Sequence, residues 1–586
     1  MTGYRAPVAE LEFLLSDIVR VADLSDLPGF KHLDWNIARG VLREGARLAE
    51  QQIAPVNAIG DREGAKLDAK GRVVLPAVFS SAWHALCRDG WLGLDLPQAN
   101  GGQGLPRLLQ AAFAEMTNGA CVSFCMLPLM SRASARLLLA HAEKRLATLF
   151  VPGLLAGDVA ATICISEPQA GSDVGRIRTR AVPAGDGTYR ITGSKSWISY
   201  GDHGLAPQIT HMVLARRPEA PPGTAGLSLF LVPKLMLDEN AGWGKRNPVR
   251  VVSLETKMGL HASPTCTLDF DDAVAYPIGP AGRGLACLFT MVNTMRLEVA
   301  VQGVALAGAA TAAALDYAGE RRQGGPPDQP PVPIVRHPDV RRMLLTMRAR
   351  TEGLRALTLE AARQLDLAEH ISDEQARDDA AALASWLLPV CKAYATDTAT
   401  EVTNLALQVH GGAGYVLDTG IEQYVRDARV GAIYEGTNGI QALDLVTRRL
   451  VGDQGKRLAL FAERVRADLD AAGQRAQTKA IHAAVAAGLD ALERCGAHLL
   501  ESQRDHSHCA AAATPFLRLA GLLGSGWMWL QMAAAARGES RLHRRKKVCA
   551  AFFAEQLMPE AGWLEQQVMA GAASLDDLSD DALMET

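Results

Sequence analysis

Residues 159–202 read VAATICISEPQAGSDVGRIRTRAVPAGDGTYRITGSKSWISYGD, and the texture of the chain changes there. Upstream, apolar residues recur mostly at helical spacing. From this point short β-branched runs separated by Gly, Pro and Asp turns take over, continuing through THMVLARR, GLSLFLVP and TCTLDFDDAV. This is the pattern of a compact all-β unit, expected over residues 160–283.

Outward from it the chain is helical on both sides. PVAELEFLLSDIVRVADL predicts an amphipathic arm within residues 1–40, and residues 41–159 continue as helix, broken by the Gly-rich loop LPQANGGQGLP. Helix returns at Gly284. GGPPDQPPVPIVRHPD is too rich in proline to be helical and reads as a loop. A turn at GDQGK separates residues 284–452 from a further Ala-rich helical tract over 453–586. The fold class expected is α+β multidomain.

A chain of 586 residues exceeds what one hydrophobic core serves. Its net charge of -4 gives no electrostatic case for nucleic acid, which requires a basic face. MTGYRAPVAELEFLL lacks a basic stretch, an uninterrupted apolar run and a small-residue cleavage site, so a cytoplasmic protein is expected. The ten cysteines stand singly apart from Cys121 and Cys125, with no companion pair at ligand spacing, and read as reduced core thiols with no metal site. Two uncharged stretches, VAVQGVALAGAATAAAL and LAGLLGSGWMWLQMAAAA, are rich in Ala and Gly; they read as buried packing helices, not bilayer spans.

Several motifs carry chemistry. SEPQAGSD (166–173) has the short hydroxyls and glycine that let backbone amides approach a flat polar ligand, although surface turns use the same residues. GSKSWISYGD sets Trp197 near Ser199, where the ordinary reading of a strand tryptophan is core. YAGERRQGG ends a long helix with Arg321 and Arg322, which suit a solvated helix end or an anionic pyrophosphate. LALQVHGGAGYVLD ends a helix at Gly411-Gly412, a C-cap whose amides could also meet a phosphate. RDARVGAIYEGTNGIQ places one carboxylate, Glu435, beside Ile433 and Tyr434, where ionisation is expensive; the alternative is a helix-start carboxylate balancing a dipole. GPAGRGLAC lacks the strand-turn-helix context of a dinucleotide fingerprint, and GTAGLS is no nucleophile elbow.

Taken in order, ISEPQAGSD, ITGSKSWIS, KMGLHASPT, YAGERRQG, LQVHGGAGY and RDARVGAIYEGTNGIQ resemble the acyl-CoA dehydrogenase family of flavoproteins over roughly residues 40–450. The arm, the proline-rich insert and the tract after 455 are similar to its large, roughly 600-residue branch, which includes 3-methylmercaptopropionyl-CoA and related fatty acyl-CoA dehydrogenases. The resemblance implies a helical N-terminal domain, a middle β-barrel, a four-helix bundle and an additional C-terminal helical domain, with FAD held between barrel and bundle. It implies that Glu435 is the base that takes the α-proton of an acyl-CoA while the β-hydrogen leaves as hydride to flavin N5, giving a trans-2-enoyl-CoA. An apolar pocket would raise the basicity of Glu435.

By the same resemblance, Ile163 to Ser172 would wrap the flavin, with Ser166 near its pyrimidine end and Trp197 and Ser199 against the ring system. Arg321, Gln323, Gln408, Gly411 and Gly412 would reach the FAD of a neighbouring subunit, and Thr437 and Gly439 the adenosine side. Ser172 and Asn293 would meet CoA, and Arg296 would lie close to Glu435. A homodimer or dimer of dimers is implied, with electron-transfer flavoprotein as electron acceptor. Some branches carry their base just before Arg296; here that residue is Met295, which takes no proton. The family's CoA-binding Asp is Asn293 here, and its Phe-Gly is Gln323-Gly324.

RLHRRKKVCAAFF is the most basic run in the chain. It reads as a solvated helix face or subunit contact, with a DNA- or protein-binding scaffold as the non-enzymatic alternative and an acyl-CoA oxidase as the enzymatic one.

Overall fold

The β-rich stretch closes on itself. In the computed structural model, which describes residues 3–238, 242–575 and 577–585, a small hairpin comes first, β1 (Lys66–Leu67) and β2 (Val73–Val74). It lies in a region expected to be helical. Its strands are two residues each, too short for periodicity to register, and it is closed by Asp68, whose Oδ1 accepts from the amides of Lys70 and Arg72.

The main sheet comprises β3 (Val159–Cys164), β4 (Arg180–Pro183), β5 (Tyr189–Ser199), β6 (Gln208–Arg216) and β7 (Leu227–Pro233). A separate hairpin of β8 (Leu235–Leu237) and β9 (Trp243–Arg246) follows, then β10 (Val249–Leu254) and β11 (Thr265–Ile278) complete the main sheet. β11 pairs with β5 and β7, β7 with β6, β6 touches β4 at Arg180–Arg216, and β4 pairs with β5. The path returns to its start, so these five strands form a barrel, with β10 added on β11 and β3 running parallel to β6. Alternation along β11 turns Cys266, Leu268 and Phe270 inward to meet Ile191, Val213 and Phe230.

The chain divides into two compact units, residues 43–298 with 3–6, and residues 299–586 with 7–42. The first holds the barrel and the helices Val78–Arg88, Arg107–His141 and Lys144–Ala156. The long middle helix breaks at Cys121, where φ is -163° and ψ is 94°. A buried charge cluster braces this unit: Arg132 contacts Asp95 at 2.7 Å and Glu298 at 2.5 Å, and Arg136 contacts Asp95 at 2.7 Å.

The second unit is helical. Ala307, Ala310, Ala314 and Ala318 of the helix Gly284–Glu320 pack on Met343 and Met347 of Pro338–His370 and on Val402, Ala406 and Val409 of Glu374–His410. The proline-rich insert is the loop between the first two. Beyond it, the helix His506–Ala535 is the packing element that LAGLLGSGWMWLQMAAAA suggests: a Cβ on Gly521 would lie 2.4 Å from the Tyr394 ring, and one on Gly524 would lie 2.8 Å from Leu357. Among the described residues, Arg107–His141 and Gly284–Glu320 are long and apolar enough to cross a membrane, and 83% of the most apolar window of each is buried.

The basic run near residue 541 is a solvated face only in part, with Arg541 and Arg544 exposed. Lys546 is fully buried, paired with Glu10 of the arm and with Glu352 at 2.9 Å, its ammonium 5.3 Å from the ring centroids of Phe13 and Trp529. Arg545 contacts Glu10 at 2.8 Å and Lys547 contacts Glu539 at 3.0 Å. Charge counted along the sequence could not show that these cations have carboxylate partners within their own chain.

Candidate active site

The SEPQAGSD segment leaves β3 as a tight turn, with Glu167 and Ala170 exchanging backbone hydrogen bonds at 3.0 and 2.9 Å. Glu167 points inward. Its carboxylate accepts from Lys195 Nζ at 2.9 Å, Thr179 Oγ1 at 2.6 Å, and the amides of Thr179 at 3.0 Å and Arg178 at 2.7 Å. Burial alone would raise its pKa, but the Lys195 charge and these donors bring it down to about 2. Lys195, fully buried on β5, also donates to the Ile165 carbonyl at 2.9 Å. The turn is thereby fixed from beneath, leaving Gly171 and Ser172 exposed and Ile163 and Ser166 half-buried.

Trp197 follows on β5, and the core reading of it fails: it is 63% exposed. The cause is a bulge. Opposite β11, Cys266 pairs with Ile198 and Leu268 with Lys195, so Ser196 and Trp197 together face the single residue Thr267. Trp197 takes φ +63°, a conformation uncommon for a bulky side chain, and its indole turns out of the barrel. The Ser196 amide donates to the Ser166 carbonyl at 3.0 Å, tying the turn to the bulge. Ser199 is half-buried two residues on. Tyr200, again at positive φ, is buried with its hydroxyl on the Ser123 carbonyl at 2.8 Å.

In the helical unit Glu435 occupies a break between helices. The helix Ile421–Arg429 gives way to a short 3-10 turn, Val430–Ala432, and Asn438–Leu443 begins three residues past the glutamate. Thr437 caps that helix, accepting from the Ile440 amide. Glu435 takes φ +55° and Gly436 φ +81°, two successive left-handed residues. The apolar setting read from the sequence is only half present, since Ile433 is mostly exposed. Tyr434 is held, its hydroxyl donating to Gln302 Oε1 at 2.5 Å, and burial pushes its pKa well up. Gln441 Nε2 donates to the carbonyls of Glu435 and Gly436, both at 3.3 Å.

Gln408, Gly411 and Gly412 are exposed together at the end of Glu374–His410. Gly411 is the cap residue at φ +59°, and a Cβ on it or on Gly412 would meet nothing within 4 Å. Arg321 and Gln323 are exposed just past Glu320. Thr437 is half-buried and Gly439 exposed. On Gly284–Glu320, Asn293 is half-buried, Met295 is buried, and the buried Arg296 lies with its guanidinium carbon 5.9 Å from the Phe289 ring centroid. The sequence reading missed Glu167, Lys195 and Lys392 as supports. Glu167 and Lys195 stood as polar letters inside quoted motifs, whereas Lys392 lay outside all of them, and each pairing required the fold.

Three family models match in succession: the acyl-CoA dehydrogenase N-terminal domain over residues 40–158, the middle domain over 162–273 and the C-terminal domain over 282–451. The chain belongs to the acyl-CoA dehydrogenase family. A fourth model, acetyl-CoA dehydrogenase C-terminal like, matches residues 461–579. The chain is similar to the 3-methylmercaptopropionyl-CoA dehydrogenase of Ruegeria pomeroyi, 41% identical over 95% of this chain and 96% of that one. It is similar also to the broad-specificity linear acyl-CoA dehydrogenase FadE5 of Mycobacterium tuberculosis, 34% identical over 95% and 96%. Among solved structures, Caenorhabditis elegans ACDH-11 in complex with C11-CoA shares the fold, with TM-score 0.78 and 22% identity over 97% of this chain and 96% of that one. Acyl-CoA dehydrogenases are oxidoreductases that bind FAD.

Proposed function

We propose that this acyl-CoA dehydrogenase converts a linear acyl-CoA to the trans-2-enoyl-CoA, with Glu435 taking the α-proton. The observation that carries this is the setting of that carboxylate. It stands in a break between helices, on backbone held left-handed, with Tyr434 anchored before it and Thr437 capping the helix after it. A loop that stores strain at a single carboxylate has the character of a functional site. FAD, when bound, supplies at N5 the acceptor for the β-hydrogen.

The residues fit that group. An exposed indole on a barrel bulge offers a face for a planar ring, the fixed turn at Ser166–Ser172 offers backbone donors and hydroxyls beside it, and Ser199 adds a half-buried hydroxyl. The exposed Arg321, Gln323, Gln408, Gly411 and Gly412 are free to meet the FAD of a second subunit in a homodimer or dimer of dimers, and Thr437 and Gly439 its adenosine side. Ser172, Asn293 and Arg296 serve CoA and the thioester. Electrons pass to electron-transfer flavoprotein. In this reading the arm (1–40), helical domain (41–159), barrel (160–283), bundle (284–452) and C-terminal helical domain (453–586) are the working parts.

The two relatives point to linear thioesters, 3-methylthiopropionyl-CoA among them. The test is anaerobic titration of the purified protein with short, medium, long and 3-methylthiopropionyl thioesters. Bleaching of the flavin band by one member is expected, and its loss, with FAD retained, in Glu435→Gln. Turnover by E435Q sinks the base assignment, and rapid oxygen consumption in place of transfer to electron-transfer flavoprotein overturns the acceptor.

A further inference from the structure

Lys392 is fully buried in the middle of the helix Glu374–His410, where lysine is among the least expected residues. A burial this costly persists when the ammonium has a task, since methionine would fill the same volume without it. Its Nζ donates to the Gly436 carbonyl at 2.8 Å and to Asn438 Oδ1 at 2.9 Å. Asn438 in turn gives its amide hydrogens to Asp397 Oδ1 at 2.7 Å, Thr396 Oγ1 at 3.0 Å and the Ala393 carbonyl at 3.2 Å. Within six residues, one helix thus grips both the Gly436–Thr437 peptide, one residue beyond Glu435, and the Asn438 side chain. Glu435 and Gly436 are the left-handed pair, and a glutamate stays in that conformation only where its surroundings impose it. Gln441 reaches the Gly436 carbonyl too, and that of Glu435, through a neutral amide at longer range, 3.3 Å to each.

We propose that Lys392 is a positioning residue for Glu435, holding the Gly436 carbonyl so that the glutamate side chain leaves the loop at the angle proton transfer requires. This rests on the reading of Glu435 as the base. A cation on a carbonyl fixes the peptide plane more firmly than a neutral donor does. Misplacement of a reacting group by about 1 Å costs roughly 100-fold in rate.

The test separates the two claims. A 3-thia-acyl-CoA, with sulfur in place of the β-methylene, has an acidic α-hydrogen and no β-hydrogen to lose, so exchange of its α-hydrogen with deuterium oxide reports the base alone. With FAD content and ligand affinity measured alongside, Lys392→Met is expected to keep both while exchanging about 100-fold more slowly. Lys392→Arg, which retains the charge, is expected to recover to within about tenfold of wild type. Folded, FAD-loaded K392M exchanging at the wild-type rate overturns the proposal. Should K392M fail to fold, Asn438→Ala removes the Oδ1 acceptor of Lys392; slower exchange supports the assignment and a wild-type rate overturns it. E435Q is the control: exchange by E435Q defeats the base reading itself, whereas a silent E435Q beside a normal K392M defeats only the positioning role.

Discussion

Changing Glu167 to glutamine should loosen the turn that carries Ser166 and Ser172 by an amount the structure sets. The ordinary glutamate value of 4.5 falls to about 2 in the fold, where burial opposes ionisation and Lys195 with its neighbours more than offsets it. At about 1.4 kcal/mol per pH unit, the carboxylate contributes about 3–4 kcal/mol at neutral pH. The contribution is complete above pH 4.5 and is lost as pH falls through about 2, because protonation is easier in the unfolded chain. Burial lowers the pKa of Lys195 even so, and the net worth of the pair is smaller than the Glu167 figure.

The E167Q variant would leave the Lys195 ammonium buried without its counter-charge and would turn an amide NH2 toward existing donors: one carboxylate oxygen faces Lys195 and Thr179, the other the Arg178 amide and Gln169 Nε2. The assay is native-state hydrogen exchange at the amides of Arg178, Thr179 and Ser196, which reads local opening. That fall in pKa corresponds to roughly 300-fold faster exchange at pH 7. The double variant E167Q/K195M should recover most of the loss, since it removes both charges together. Protection in E167Q within about threefold of wild type would refute the reasoning.

Three further outcomes follow from other parts of the fold. Lys546→Ala should cost about 3–5 kcal/mol by leaving Glu10 and Glu352 buried without a cation, and limited proteolysis should then cut within residues 7–19 at protease levels the wild type resists. Trp197→Ala should weaken FAD binding about tenfold or more by removing the exposed indole, measured by fluorescence titration of the apoprotein, whereas Trp197→Phe should keep most of the affinity. Nine of the ten thiols are buried and burial pushes half-buried Cys87 up to about 12, so a mass-resolved alkylation time course at pH 8 should show slow labelling until denaturant is added.

The barrel was legible in the sequence because alternation along residues such as Cys266, Leu268 and Phe270 is a local property, written wherever one face of a strand is buried. The motif around Trp197 was visible, but its outward aim was not, since the bulge depends on Thr267 standing alone across from two residues 70 positions earlier in the chain. Glu435 could be singled out by its neighbours, yet its left-handed backbone answers to Gln441 beside it and to Lys392 on another helix. The hairpin at residues 66–74 went unread, because strands of two residues are too short for alternation to show. In the basic run the exposed Arg541 and Arg544 match the reading and the buried Lys546 does not: sign and spacing of charge are sequence properties, and partnership is a property of the fold.

The pairing of Glu10 with Lys546 joins positions 536 residues apart. A ribosome adding about 5–20 residues each second makes the first partner roughly half a minute to two minutes before the second. Throughout that interval the arm exists without the groups that will neutralise its carboxylate and cover Phe13. The arm is therefore among the last pieces to find its place, and its acidic, apolar surface is what a chaperone would encounter on the nascent chain. Joining residue 10 to residue 546 means that the arm can dock fully only after the chain has been made at least as far as Lys546.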